Sequence, residues 1–477
     1  MNLPILSRRE LLSQAGFGCG AIALGSLLNP ETGNANSVVF DPSNPMRSRP
    51  SHFPGVRSVI WVVMNGGSSH IDTWDYKPEL QKRDGQKLDG ADAYTGFFKT
   101  SGKLMASPFR FKQHGQSGTW ASEIFPHLSR HVDEMAFVHS CYSRSNNHSP
   151  ALFEMNTGMN RMGFPCVGSW VTYGLGSENE NLPAFVVMTD AQGRGLPKNK
   201  AQNWGSGFLP GVFQGTRVKE KGAPVENLLR LPHMTKERQR ALLNAANKLN
   251  REHQKKFESQ ADLDARIESL ELAFRMQISA PDVMSVASES QQTQAMYGME
   301  HPKAKHFGKQ CLMARKLVES GVRFIQIYSG GIDNGNSWDG HRNIKENHGR
   351  FALEIDQGVA ALITDLKRRG LLESTLIVCG GEFGRTSDSQ GDGRGRDHNP
   401  NAFTWWFAGG GVKGGTHFGK TDEFGYKAIE NRKHIHDLHA TILHLCGMKH
   451  EDLTYRFNGR DFRLTDVEGK VIKEILV

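Results

Sequence analysis

Carboxylates and imidazoles are concentrated in four short stretches of this 477-residue chain. The first runs from Asn65 to Asp72 (NGGSSHID). The second is Asn146-Asn147-His148-Ser149-Pro150, with Thr157-Gly158 downstream. The third runs from Asp333-Asn334 to Trp338-Asp339-Gly340-His341, with His348 close behind. The fourth is Glu382-Phe383-Gly384-Arg385-Thr386, followed by Arg396-Asp397-His398-Asn399. Taken singly, a His or Asp beside Gly is most often a turn-former or a capping residue. Three of the four stretches follow apolar runs that read as strands, however, and separate strand ends can deliver them to one place. Imidazoles and carboxylates gathered in that way make a divalent-metal site, and mixed nitrogen and oxygen donors suit zinc or manganese better than magnesium. Asp72, His148, Asp339, His341, Glu382 and His398 are therefore expected in one pocket, with Asp397 beside His398. Arg385 or Arg144 is expected to grip the oxygens of an anion there through paired guanidinium donors.

The elements that must position these residues follow from apolar runs and periodicity. Arg57 to Met64 (RSVIWVVM), Ala184 to Met188, Arg323 to Tyr328 and Ser374 to Cys379 read as buried strands entering polar or glycine-rich loops. Phe403 to Phe407 (FTWWF) reads as another. Ile355, Val359, Leu362 and Leu366 mark an amphipathic helix stopping at Gly370. Helices alternating with buried strands predict an α/β fold with a largely parallel sheet, whose ligands bind at the strands' carboxyl ends. Between residues 235 and 280 the sequence turns charged and helical. The stripes Leu242, Ala246, Leu249 and Leu263, Ile267, Leu270, Phe274 predict two long helices on a flank, the second ended by Pro281. Asp437 and His439 open a last helix, with Asp437 expected as its cap.

The set MNGGSSHIDTWDYKPEL, WDGHRN, GGEFGRT, GRDHNP, AGGGVKGG and HDLHATILHLCG resembles the domain-of-unknown-function family 1501, classed with the alkaline phosphatase/sulfatase superfamily. The resemblance runs from about residue 50 to the C-terminus. It implies a three-layer α/β/α sandwich, one or two divalent metals at the sheet's carboxyl edge, and a nucleophile at a helix start. In sulfatases that helix begins C-x-P-S-R and continues to T-G. The spacing from Pro150 to Thr157-Gly158 matches, and it places His148 at the nucleophile position. No formylglycine can form there; from that position His148 is expected to act as a metal ligand, with a phospho-His148 intermediate as the variant in which it is catalytic. The superfamily's first-strand aspartate falls at Asn65, a weaker neutral ligand that His70 or Asp72 would supplement. Asp339 and His341 correspond to its Asp and His pair after a strand, Glu382 to the Asp of its late DHG loop, and His398 to its later histidine.

Bulk properties narrow the class. The formal charge is +8, but Lys and Arg are spread along the chain without a basic block, which argues against nucleic acid as a partner and for anionic substrates. The six cysteines show no CxxC pair, so buried structural thiols are expected. Arg8-Arg9 precede the apolar, glycine-rich run Ala15 to Leu28, too short to span a membrane comfortably, and the pair resembles a twin-arginine export signal. The expected organisation is a signal peptide over 1–35, a Pro-, Asn- and Ser-rich linker over 36–55, and an alkaline phosphatase-like domain over 56–477 with the 235–280 flank inserted. No stable membrane span is expected in the mature protein. The expected function is an exported, metal-dependent hydrolase of small or polymeric phosphate or sulfate esters, using metal-activated water. The alternative is a non-catalytic, metal-containing module that binds an anionic polysaccharide or another partner outside the cytoplasm.

Overall fold

Ser58–Met64 is buried at every position, as a strand covered on both faces must be. It is the centre of a nine-stranded sheet in the computed structural model. The structure describes residues 44–87, 95–97, 102–218, 234–254, 270–277, 283–332, 335–390 and 394–477. The export signal expected over 1–35 and the first part of the linker lie outside these residues. In chain order the sheet strands are β1 (Ser58–Met64), β2 (Met135–Tyr142), β3 (Phe185–Met188), β4 (Thr216–Val218), β5 (Phe324–Ser329), β6 (Thr375–Gly380), β7 (Phe403–Gly409), β8 (Thr416–Phe418) and β9 (Lys433–His434). Their spatial order is β8-β2-β7-β6-β1-β5-β3-β4, with β9 also paired to β2. Every pairing is parallel except the two made by β7, which runs against β2 and β6. The sheet is thus largely parallel, as the alternation of strands and helices predicts.

The main helices are α1 (His148–Thr157), α2 (Val167–Leu175), α3 (Lys236–Gln254), α4 (Lys305–Glu319), α5 (Ile344–Arg368) and α6 (Ile435–Leu445). Alternation along the strands assigns them to faces. Ile60, Val62, Ile325, Ile327 and Ile377 share one core with Leu312 and Leu317 of α4 and Phe351, Ile355, Val359 and Leu362 of α5. On the opposite face Trp61 packs against Phe324 and Trp405. There Gln326 Nε2 donates to Asn156 Oδ1 of α1 at 2.7 Å, and His439 Nε2 of α6 meets the Met155 carbonyl at 2.8 Å. Helix, sheet and helix form three layers.

The flank departs from its prediction. Lys236–Gln254 is helical, as are residues 270–277, but Leu242 and Leu249 are 54% and 72% exposed. The two segments are joined by polar contacts instead, Arg240 Nη1 and Asn247 Nδ2 each donating to Glu271 at 2.6 Å. Residues 255–269 and 278–282, including Pro281, lie outside the described ones. The N-cap of α6 is His434 and not Asp437, which stands one turn inside the helix and accepts the His434 N–H on Oδ2 at 2.9 Å as the other half of a capping box. The five cysteines from Cys141 onward are buried free thiols.

Candidate metal centre

Four chain segments converge beyond the carboxyl ends of β1, β5 and β6. After β1 the chain turns through Asn65-Gly66-Gly67, where Gly66 and Gly67 adopt φ of +105° and +73°. A Cβ on Gly66 would stand 2.6 Å from Ser337 Oγ and 2.7 Å from the Asp339 nitrogen, so glycine is what lets the β1 and β5 loops touch. The β5 loop carries Asp339 and His341 into α5. The β6 loop delivers Glu382 and Arg385, and the two-residue pairing of Gly384–Arg385 with His398–Asn399 sets His398 opposite Arg385. His148 is the first residue of α1, whose start is capped by Asn147 accepting the Ser149 N–H at 3.2 Å.

One ligand atom each from His148, Asp339, His341 and His398 lies within 4.8 Å of all the others. Asp339 Oδ1 stands 2.9 Å from His341 Nε2, 3.3 Å from His148 Nε2 and 3.4 Å from His398 Nε2. His341 Nε2 and His398 Nε2 are 2.9 Å apart. Donors at zinc-ligand distances around a tetrahedral ion stand about 3.3–3.4 Å from each other, so these separations fit one ion. The far side of each ring points the same way. His398 Nδ1–H donates to the Asn146 carbonyl at 2.6 Å, and His341 Nδ1–H to Gln390 Oε1 at 2.5 Å. His148 Nδ1–H donates to Glu382 Oε1 at 2.8 Å. With each Nδ1 engaged by an oxygen acceptor, the three Nε2 atoms face one another and a carboxylate, an arrangement that a shared cation satisfies in place of protons.

Electrostatics show how strongly these groups feel one another without a metal. Burial would drive the Asp339 carboxyl upward, but Arg385, 2.7 Å away, and the three imidazoles hold it far below the carboxylate range. Burial likewise lowers His148, yet the carboxylates of Asp339 and Glu382 overcome that and raise it to about 9 without a metal. His398 is pushed well below its usual value by burial and then by the charge on His148.

The other sequence candidates stand outside this tetrad. Glu382 accepts from His148 and from the Gly66 N–H at 3.0 and 3.2 Å, so it orients a ligand from behind. Asn65 Nδ2 donates to the Gly331 carbonyl at 2.5 Å. His70 Nε2 is engaged by the Gly425 carbonyl at 2.8 Å. Asp72 is sealed in a fully buried pair with Arg396 at 2.7 Å. Asp397 Oδ1 accepts the His398 N–H at 2.7 Å and lies 3.9 Å from His341 Nδ1. His348 Nε2 accepts the Ser69 N–H at 2.8 Å, and burial lowers its pKa to about 3, marking a neutral scaffold histidine. Arg385 does not face a ligand. Its fully buried guanidinium is divided among the carbonyls of Gly66, Gly67 and Arg396 and the Asp339 carboxylate. Arg144 lies elsewhere, paired with Glu468. Gln390 and the Asn146 carbonyl escape sequence reasoning, because an amide and a main-chain oxygen carry no metal-ligand signature.

A cavity of about 530 Å³ opens beside Asp339 and His341, lined also by Arg342, Asn343, Glu346 and Arg350. Asn343 and Glu346 are shared with a wider one of about 980 Å³ that Lys87, Lys103, Lys345 and Arg394 line.

The family model described as "Protein of unknown function (DUF1501)" matches residues 56–476. No curated protein is significantly similar in sequence. Among solved structures the chain is similar to the PsFucS1 sulfatase from Pseudoalteromonas sp., at 11% identity over 83% of this chain and 69% of that one, with a TM-score of 0.37. It is similar to the phosphonate monoester hydrolase SpPMH from Silicibacter pomeroyi at 12% identity, over 82% and 73%, with a TM-score of 0.37. The TAB5 alkaline phosphatase, as a mutant with Mg bound in its M3 site, matches at 10% identity over 76% and 94%, with a TM-score of 0.31. Among the described residues no helix is long and apolar enough to cross a membrane.

Proposed function

This chain belongs to the DUF1501 protein family, and we propose that it is a metal-dependent hydrolase of anionic phosphate or sulfate esters that works outside the cytoplasm. The observation that carries the reading is the convergence of three imidazole nitrogens and the Asp339 carboxylate on one point. His148, Asp339, His341 and His398 are the proposed ligands, with zinc or manganese as the ion. Such an ion would supply Lewis-acid polarisation of the ester and a water of lowered pKa. The chain's own groups do the rest. Glu382, Gln390 and the Asn146 carbonyl fix the three rings with Nε2 forward. Arg385 neutralises Asp339 and braces the β1 turn from behind. Four protein ligands fill a tetrahedral ion, so substrate needs a further coordination position, and the cavity beside Asp339 and His341 is the side from which it would enter. Arg342 there, and Lys87, Lys103, Lys345 and Arg394 beyond, give that approach a cationic lining suited to an anionic ester.

Arg385's internal commitment and the histidine at the start of α1 favour the second reading, a metal-containing binding module without turnover. Metal-loaded full-length protein should hydrolyse a phosphate monoester, a phosphate diester or a sulfate ester. Asp339→Asn should lower both metal affinity and turnover by more than ~100-fold, since loss of even a ligand's supporting partner costs about 10–100-fold. A tightly bound metal with no turnover of any of the three esters would leave the binding module. The compartment rests on Arg8-Arg9 ahead of Ala15 to Leu28. Changing both arginines to lysine should retain the protein in the cytoplasm, and unchanged export on cell fractionation would remove that part of the reading.

A further inference from the structure

Helix α1 has a second histidine cluster at its far end, about 15 Å from the first by helix rise, and the proposed reaction makes no use of it. His434 and His436, at the start of α6, and Glu468, in the C-terminal segment, each place a ligand atom within 4.8 Å of the others. His436 Nε2 is 2.6 Å from the Gly158 carbonyl, an atom that can only accept, so Nε2 carries a ring proton and Nδ1 is the nitrogen left for a second partner. That nitrogen faces Glu468 Oε2 at 3.2 Å. His434 Nε2 is likewise held by Glu154 Oε1 at 3.0 Å, and its Nδ1 points to the same Glu468 oxygen at 3.7 Å. Two ring nitrogens and a carboxylate oxygen thus converge on one place. Their separations bracket the roughly 3.4 Å expected between ligands of one tetrahedral ion. Both histidines are buried, while Glu468 reaches in from the surface.

We infer that His434, His436 and Glu468 form a second divalent-cation site, suited to zinc, which fastens the C-terminal segment to the start of α6. Two neighbouring contacts compete with it and neither fills it. The His436 N–H reaches His434 Nδ1 at only 3.3 Å, and the other half of that capping box, from the His434 N–H to Asp437, holds the helix start independently at 2.9 Å. Arg144 Nη2 donates to both Glu468 oxygens at 2.6 Å, which leaves each oxygen a lone pair. The inference does not rest on the hydrolase reading.

The test uses full-length protein stripped by chelator and titrated with Zn²⁺ alone. Zinc stoichiometry is read by competition with a chromogenic chelator, and the ion is located by anomalous diffraction from crystals grown with stoichiometric zinc. Wild-type protein should bind one zinc more than Glu468→Ala, or bind the corresponding zinc at least tenfold more tightly, with an anomalous peak among the three side chains. Glu468→Ala should hydrolyse esters as the wild type does. Equal zinc binding by both proteins, or wild-type crystals without a peak at this place, overturns the inference. The second result would make His436 an imidazolium paired with Glu468. The wild-type map decides even if the variant fails to fold, and the position of the peak separates this site from the one at His148.

Discussion

The two ends of α1 carry the same local construction with different surroundings. At each end an imidazole has one nitrogen pinned by an oxygen acceptor, Glu382 behind His148 and Glu154 behind His434, so that the other nitrogen points forward. At each end a carboxylate completes the set and carries an arginine, Asp339 with Arg385 and Glu468 with Arg144. At the His148 end that ion pair is wholly buried, and the four proposed ligands come from two separate loops and a helix start. At the Gly158 end the pair is about half exposed, and two of three ligands are separated by one residue. Burial is what separates the two. A charge in a dry site is strong and its neighbours must be complete, whereas at the surface water shares the work.

The largest effect expected from that difference is the loss of Arg385. Arg385→Ala strips a buried carboxylate of its main counter-charge and frees the carbonyls of Gly66 and Gly67. It should destabilise chelator-treated protein by about 3–5 kcal/mol in denaturant titration, the usual range for breaking a buried pair from one side. Restoring metal should recover part of the loss, because a cation among the ligands compensates Asp339. A loss below about 1 kcal/mol would mean that the imidazoles alone hold Asp339, with His148 protonated, and the contrast between the two ends would collapse.

The same contrast explains what could be read from the sequence. Continuous apolar runs announced β1, β3, β5 and β6, because a strand buried on both faces has no polar alternation to hide it. β7 was legible as a strand, but its direction depends on β2, in which His139, Ser140 and Cys141 break the apolar run. In the centre, Asp339, His341 and His398 stand in compact motifs, and His148 came from spacing along one helix. The narrowing from nine candidate ligands to four was not legible. Which partner Asp72 or Glu382 takes depends on Arg396 and Gly66, more than 300 residues away in each pairing. The outer cluster was missed for the same reason: His434 and His436 sit together, but Glu468 lies 32 residues beyond His436.

Arg144 gives the smaller effect and the finer test. Its guanidinium is 48% exposed and Glu468 46%, so their attraction is screened and worth about 0.2–1 kcal/mol. Next to a divalent cation the guanidinium repels what the histidines attract. Arg144→Ala should therefore tighten zinc at His434, His436 and Glu468 by up to about 5-fold, and high salt should shrink the gain because exposed charges are screened within about a Debye length. Zinc at the His148 end should be unaffected, since Arg144 contacts none of its four ligands among the interactions described. Isothermal titration of the variant against wild type, at low and high salt, reads both ends at once. Weaker binding at the outer site would show that Arg144 holds Glu468 in place for the ion. The two arginines would then act alike, each as a brace for its carboxylate, and burial would set only the size of the effect and not its sign.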